Sequence, residues 1–290
     1  MAKALEPPAR VETAPAEPAP ARARWVVATA TLAAFLVLDT FDWALFRLVA
    51  GESAGWTRTF WQVALRDGLQ VVAVAGLAWL LVGRGRVLEA LGMAGRAGPG
   101  AYLARGLAVA LAFTAIMPIV FTLMGSANPG PEPALRLMRG ALLPGVREEI
   151  FYRAFLFGFL FRFAGWGFLP AALLGAAVFG AAHLYQSDDA AEAAAIFAIT
   201  GLGGMWFAWL FVEWDYNIWV PASVHVLMNG WWEVFDISNS ALGSGYADVA
   251  RVLVIVASVA LTVWLKRPLR VRGARWWKGA AESRFLARGT

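Results

Sequence analysis

The sequence predicts an all-α, polytopic integral membrane protein of about eight transmembrane helices around a buried polar pocket. Three observations carry that prediction. Of 290 residues, 60% are hydrophobic and only 16% charged, an apolar share well above that of ordinary soluble domains. The apolar residues run in stretches close to the ~20 that a helix needs to cross a hydrocarbon core, divided by short segments rich in Gly, Pro and Arg. Within those stretches polar residues are few, and two pairs recur at helical spacing, Glu149 with Arg153 and His225 with Asn229.

Residues 1–24 hold Ala, Pro, Glu and Arg with almost no large apolar side chain, too little to offset the entropy of ordering, and are expected to form a disordered cytoplasmic tail. The apolar segment that follows is too long for the core of a cleavable signal. The membrane domain is expected over 25–266. Its first span covers 25–48, with Asp39, Asp42 and Arg47 in the far half read as snorkelling or locally paired. A second span fits 60–82, beginning near the Arg66–Asp67 pair, and a third 102–124. Residues 125–143 read as a turn followed by a short amphipathic interfacial helix, with Pro144 suited to the first turn of the next. The remaining spans fit 144–164, 166–185, 191–212, 217–235 and 248–266. Gly201, Gly203 and Gly204 in the sixth allow close helix approach. Trp166, Trp214, Trp231, Trp232, Trp276 and Trp277 gather at span ends as an interfacial belt. Residues 267–290 form a basic cytoplasmic tail, adhering to anionic headgroups at roughly 1 kcal/mol per charge.

A net charge of +5 could suggest a nucleic-acid partner, but the basic residues cluster at the ends and in one interspan loop, where orientation signals sit. No nucleic acid is expected; both termini are predicted cytoplasmic, in a multi-pass protein of a bacterial cell membrane judged by its Ala/Arg/Gly-rich composition. The absence of cysteine excludes disulfides, thiolate metal sites and a cysteine nucleophile.

The costliest stretch is Gly145-Val-Arg-Glu-Glu-Ile-Phe-Tyr-Arg153. An ionisable residue inside a span costs at least ~2.5 kcal/mol and is by default a functional-site hypothesis. Glu149 and Arg153 share a helix face and can pair; Glu148, rotated by about 100°, is left the freer carboxylate. His183 closes the fifth span in Phe179-Gly-Ala-Ala-His183, and His225-Val-Leu-Met-Asn229 lies in the seventh. The fourth span runs opposite to the fifth and seventh, so a carboxylate, two imidazoles and an amide fall at one depth. Such a pocket suits water activation against a carbonyl: Glu148 as general base, Asn229 as oxyanion donor, Arg153 holding Glu149. Glu148, His183 and His225 also make a ligand set for a divalent metal such as zinc, though the His-Glu-x-x-His spacing of soluble zinc proteases is missing.

These blocks, Glu148-Glu149-x-x-x-Arg153, Phe179-x-x-x-His183 and His225-x-x-x-Asn229, resemble in order those of the CPBP family of intramembrane proteases, which includes the type II CAAX prenyl endopeptidases and bacteriocin-immunity and processing homologues. The resemblance covers about 140–235. It implies an eight-helix membrane fold and hydrolysis of a peptide substrate by glutamate-activated water, with functional positions at Glu148, Glu149, Arg153, His183, His225 and Asn229. A non-catalytic binding or immunity protein could use the same pocket; a proton-coupled transporter is disfavoured by the lack of an internal repeat.

Overall fold

The computed structural model describes residues 21–49, 56–125, 127–279 and 282. The tail expected over 1–20, the last part of the basic tail and the side chains of Asp42 and Arg47 lie outside the described residues. Eight long helices follow in order: α1 Ala21–Val49, α2 Trp56–Val82, α3 Pro99–Met124, α4 over 133–163, α5 Phe168–Ala181, α6 Ala190–Glu213, α7 Trp219–Val234 and α8 Gly245–Leu265. No strand occurs among the described residues, so the fold is the all-α membrane bundle that the apolar pattern predicts.

Six of the eight (α1, α2, α3, α5, α6 and α8) are long and apolar enough to cross a membrane by composition alone. The other two are α4, which carries Arg147, Glu148, Glu149, Arg153 and Arg162, and the 16-residue α7. These two helices, one charged and one short, carry most of the polar motif residues. They are shielded from lipid by the rest, whose outer faces present Leu36, Val72, Leu123, Leu202 and Val256.

Sequence sets the helix ends. Pro99 and Pro133 stand in first turns, where a missing N–H is not needed. The Asp189 carboxylate caps α6, accepting from the backbone N–H groups of Ala191 and Glu192 at 3.0 and 2.9 Å. In α3 the regular helix breaks at Ala115, where Pro118 has no N–H to donate to the carbonyl four residues back.

Two expectations need correction. The interfacial helix and the fourth span are one continuous helix from Pro133, so Pro144 lies inside it rather than at its start. The turns at Met138–Leu142, Glu149–Phe157 and Phe159–Phe163 are π-helical, a widening common at functional sites, and the extra width accommodates a proline that would break a regular α-helix. The basic tail is also not free to lie on lipid: Lys266 and Arg270 pair with Asp215. The buried Glu213 carboxylate accepts the backbone N–H groups of Arg270 and Val271 at 2.7 and 2.8 Å. Further on, a backbone bridge joins Lys278 to Trp166 and Glu282 pairs with Arg162. Arg267, Arg272 and Lys278 remain exposed.

The tail end of the bundle thus gathers the end of α4, the α6–α7 turn and the start of α1, where Arg24 donates to the Ala164 and Gly165 carbonyls. Of the six tryptophans read as a belt, Trp277 is exposed and Trp166, Trp231, Trp232 and Trp276 are half-buried. Trp214 is buried, its indole N–H donating to Thr262 Oγ1 at 2.9 Å. Among the described residues, Trp25, Trp61, Trp79, Trp264 and Trp277 are the exposed tryptophans.

Candidate functional site: a carboxylate pair among helices 2, 4, 5, 6 and 7

The site is built around Glu149. Its carboxylate is fully buried, and Oε1 meets Arg153 Nη1 at 3.1 Å and His225 Nδ1 at 2.9 Å. A carboxylate oxygen only accepts, so His225 Nδ1 carries a proton, and in the neutral ring the lone pair is on Nε2. The i,i+4 pairing of Glu149 and Arg153 follows from helical spacing. The bond to His225 comes from α7, and it requires α4 and α7 to approach closely.

Gly145 makes that approach possible. A Cβ there would stand 2.7 Å from Val226 Cγ2 and 2.9 Å from the Val226 backbone nitrogen, so any side chain would push apart the two helices one turn away from the His225–Glu149 contact.

Arg153 is 2% exposed and is held by aromatic faces as well as by charge. Its guanidinium lies 4.0 Å from the Phe179 ring centroid and 5.4 Å from that of Phe207, within cation–π range. Phe179 also explains the Phe-x-x-x-His spacing: its carbonyl accepts from His183 Nδ1 at 2.7 Å, and its ring packs on the imidazole at 4.5 Å between centroids. That bond leaves His183 Nε2 as the outward-facing ring nitrogen. Phe207 of α6 stacks on His225 at 5.3 Å, and Gly204, one turn away, gives Arg153 room, since a Cβ there would lie 3.1 Å from Nη2.

Glu148 is the second buried carboxylate. The sequence reading makes it the freer of the two, but Arg147 Nη2 donates to its Oε1 at 3.1 Å. Its Oε2 faces His225 Nε2 across 4.0 Å. The Arg147, His183, His225 and Arg153 side chains are the ones near enough to bear on its charge. Asn229 sits two turns toward the start of α4, its Nδ2 donating to the Gly140 carbonyl at 3.3 Å, which leaves one amide N–H and the amide oxygen. All six sequence-selected positions therefore fall in one region. Arg147, Phe207, Gly145 and the α2 residues Asp67 and Gln70, which bind Arg147, are additions. Asp67 and Gln70 had a signal, two polar residues three apart on one face of a span.

Both imidazoles have the polarised Nδ1–H of a metal-binding histidine. Among the described residues, however, no three His, Cys, Asp or Glu side chains stand close enough to hold a metal ion. As placed, Glu148, His183 and His225 do not fit zinc.

Fold and site together define the class: a multi-pass helical membrane protein with carboxylates, imidazoles and an arginine gathered inside its bundle. Within that class, residues 130–231 match the family described as Type II CAAX prenyl endopeptidase Rce1-like, a family of membrane proteases, and this bears out the resemblance read from the motifs. The match spans about a third of the chain and contains all six motif residues. No curated protein and no solved structure matches the chain.

Proposed function

We propose that the chain is an intramembrane endopeptidase that hydrolyses a peptide bond in a membrane-associated or lipidated peptide, with Glu148 activating the water. One observation carries this: the 4.0 Å between Glu148 Oε2 and His225 Nε2. Polar atoms at that separation are too far for a direct hydrogen bond and suited to a bridging water. Both are acceptors in the neutral-imidazole state, so a water between them gives away both protons and turns its lone pairs outward, toward a carbonyl carbon.

In the hydrolysis the water oxygen bonds to the scissile carbonyl carbon as Glu148 Oε2 takes its proton. The carbonyl π pair moves to oxygen, and the oxyanion is met by the remaining N–H of Asn229. The C–N bond then breaks, and Glu148 returns the proton to the leaving amine. Glu149 and Arg153 hold the His225 ring and its tautomer and take no proton themselves. No step runs through a metal.

The test is hydrolysis of a peptide library that includes C-terminally prenylated members, using purified protein in liposomes. Glu148→Gln is expected to lower turnover by about 10²–10⁴-fold, the usual worth of a general base, with insertion and thermal stability retained. Undiminished cleavage by Glu148→Gln would remove Glu148 from the mechanism. A wild type that binds peptide without cleaving it, with a cellular phenotype that survives Glu148→Gln, would point to the binding or immunity reading.

A further inference from the structure

We infer that the site extends beyond the matched segment into α2, and that Arg147, held there by Gln70 and Asp67, is the positioning residue of Glu148. This rests on the reading of Glu148 as the base. Arg147 lies across α2: Nη1 donates to Gln70 Oε1 at 3.0 Å, Nη2 donates to Glu148 Oε1 at 3.1 Å, and Nε stands in ion-pair range of Asp67 Oδ1 at 3.4 Å without making a hydrogen bond to it. Asp67 is 4% and Gln70 6% exposed, and Asp67 is itself oriented by Arg66 at 2.8 and 3.0 Å.

The guanidinium is a rigid planar fork, so two hydrogen bonds and the Asp67 ion pair together set its position and plane. A carboxylate bonded to it is held in place in turn: one Glu148 oxygen stays on Arg147 and the other is presented to His225. A buried Asp and Gln in a membrane span are costly, and their joint grip on Arg147 gives them a role.

The test is steady-state kinetics on a peptide that the wild-type chain cleaves in the library assay. Arg147→Lys keeps the charge and loses the fork; kcat is expected to fall roughly 10–100-fold, the scale of a misplacement near 1 Å, with KM held within about twofold. Gln70→Leu, which leaves every α4 residue in place, is expected to lower kcat in the same direction, and the double variant to be no worse than Arg147→Lys. Thermal unfolding of each protein separates misfolding from misplacement, and if Arg147→Lys fails to fold, Gln70→Leu decides alone. Unchanged kcat in both single variants, or additive losses in the double, overturns the positioning role while an inactive Glu148→Gln leaves the base assignment standing. An active Glu148→Gln overturns the base assignment itself.

Discussion

At the scale of single residues, Glu149 and Arg153 form a buried ion pair at 3.1 Å whose stability depends on both charges being present. Arg153→Leu leaves the carboxylate inside the bundle without its counter-charge, with His225 as hydrogen-bond partner, and breaking such a pair costs about 3–5 kcal/mol. Unfolding of the purified variant in detergent is expected to show that loss, and Arg153→Leu combined with Glu149→Gln to recover part of it. This pair was legible in the sequence because four residues on a helix define a shared face. The partner of Glu148 was not. Adjacent helical residues point about 100° apart, so Arg147 gives no periodic signal toward Glu148, yet a long flexible arginine curls back to reach it at 3.1 Å. The His225–Glu149 bond was equally hidden, since two separate helices supply it and no spacing reports which helices touch.

At the scale of elements, α4 is the organising helix, and its contacts are set by glycines on its own face and its neighbours'. Gly145→Ala is expected to lower stability by about 1–3 kcal/mol, the range for overpacking, and to cut peptidase turnover by about tenfold or more as His225 is drawn off Glu149. Gly203→Ala is the contrast: nothing lies within 4 Å of its Cβ position, and it is expected to leave stability unchanged or slightly raised, since alanine is the better helix former. Paired thermal melts and turnover rates check both. Gly201, by comparison, does meet α5, with a Cβ position 3.2 Å from the Ala176 carbonyl. The sequence marks all three α6 glycines alike, because composition cannot tell which side of a helix has a neighbour. Helix limits were more legible: the expected spans agree with the observed ones to within a few residues except where α4 continues through Pro144. There the amphipathic stretch of 125–143 mimics a separate surface helix, and only the widened turns join it to the next.

At the scale of the whole molecule, the termini described lie at one end of the bundle, and His183, just past the last turn of α5, lies toward the other. The tail end is tied by Asp215, whose carboxyl is pushed up by partial burial but held below the usual range by the stronger opposing effects of Lys266 and Arg270. A depressed carboxylate contributes stability above its unfolded value, near 3.9, and loses that contribution as pH falls through the folded value. The stability gap between wild type and Asp215→Asn is therefore expected to be full at neutral pH and to close below about pH 4, as read by melting temperature across a pH series. The sequence marked this region as basic and placed it on lipid. The acidic groups that claim it, Glu213 and Asp215, are about fifty residues upstream, a separation that charge counting does not bridge.

The grip of α2 on Arg147 and the stacking of Phe35 of α1 on Phe151 at 4.7 Å mean that the segment shared with the protease family is not a separable module. Excised as a minimal enzyme, residues 130–231 would turn the phenylalanine-lined back of α4 toward lipid or toward another copy, and would strip Glu148's arginine of its scaffold. Anyone shortening this chain for engineering should keep the two leading helices, since both pack on the helix that carries Glu148 and Glu149.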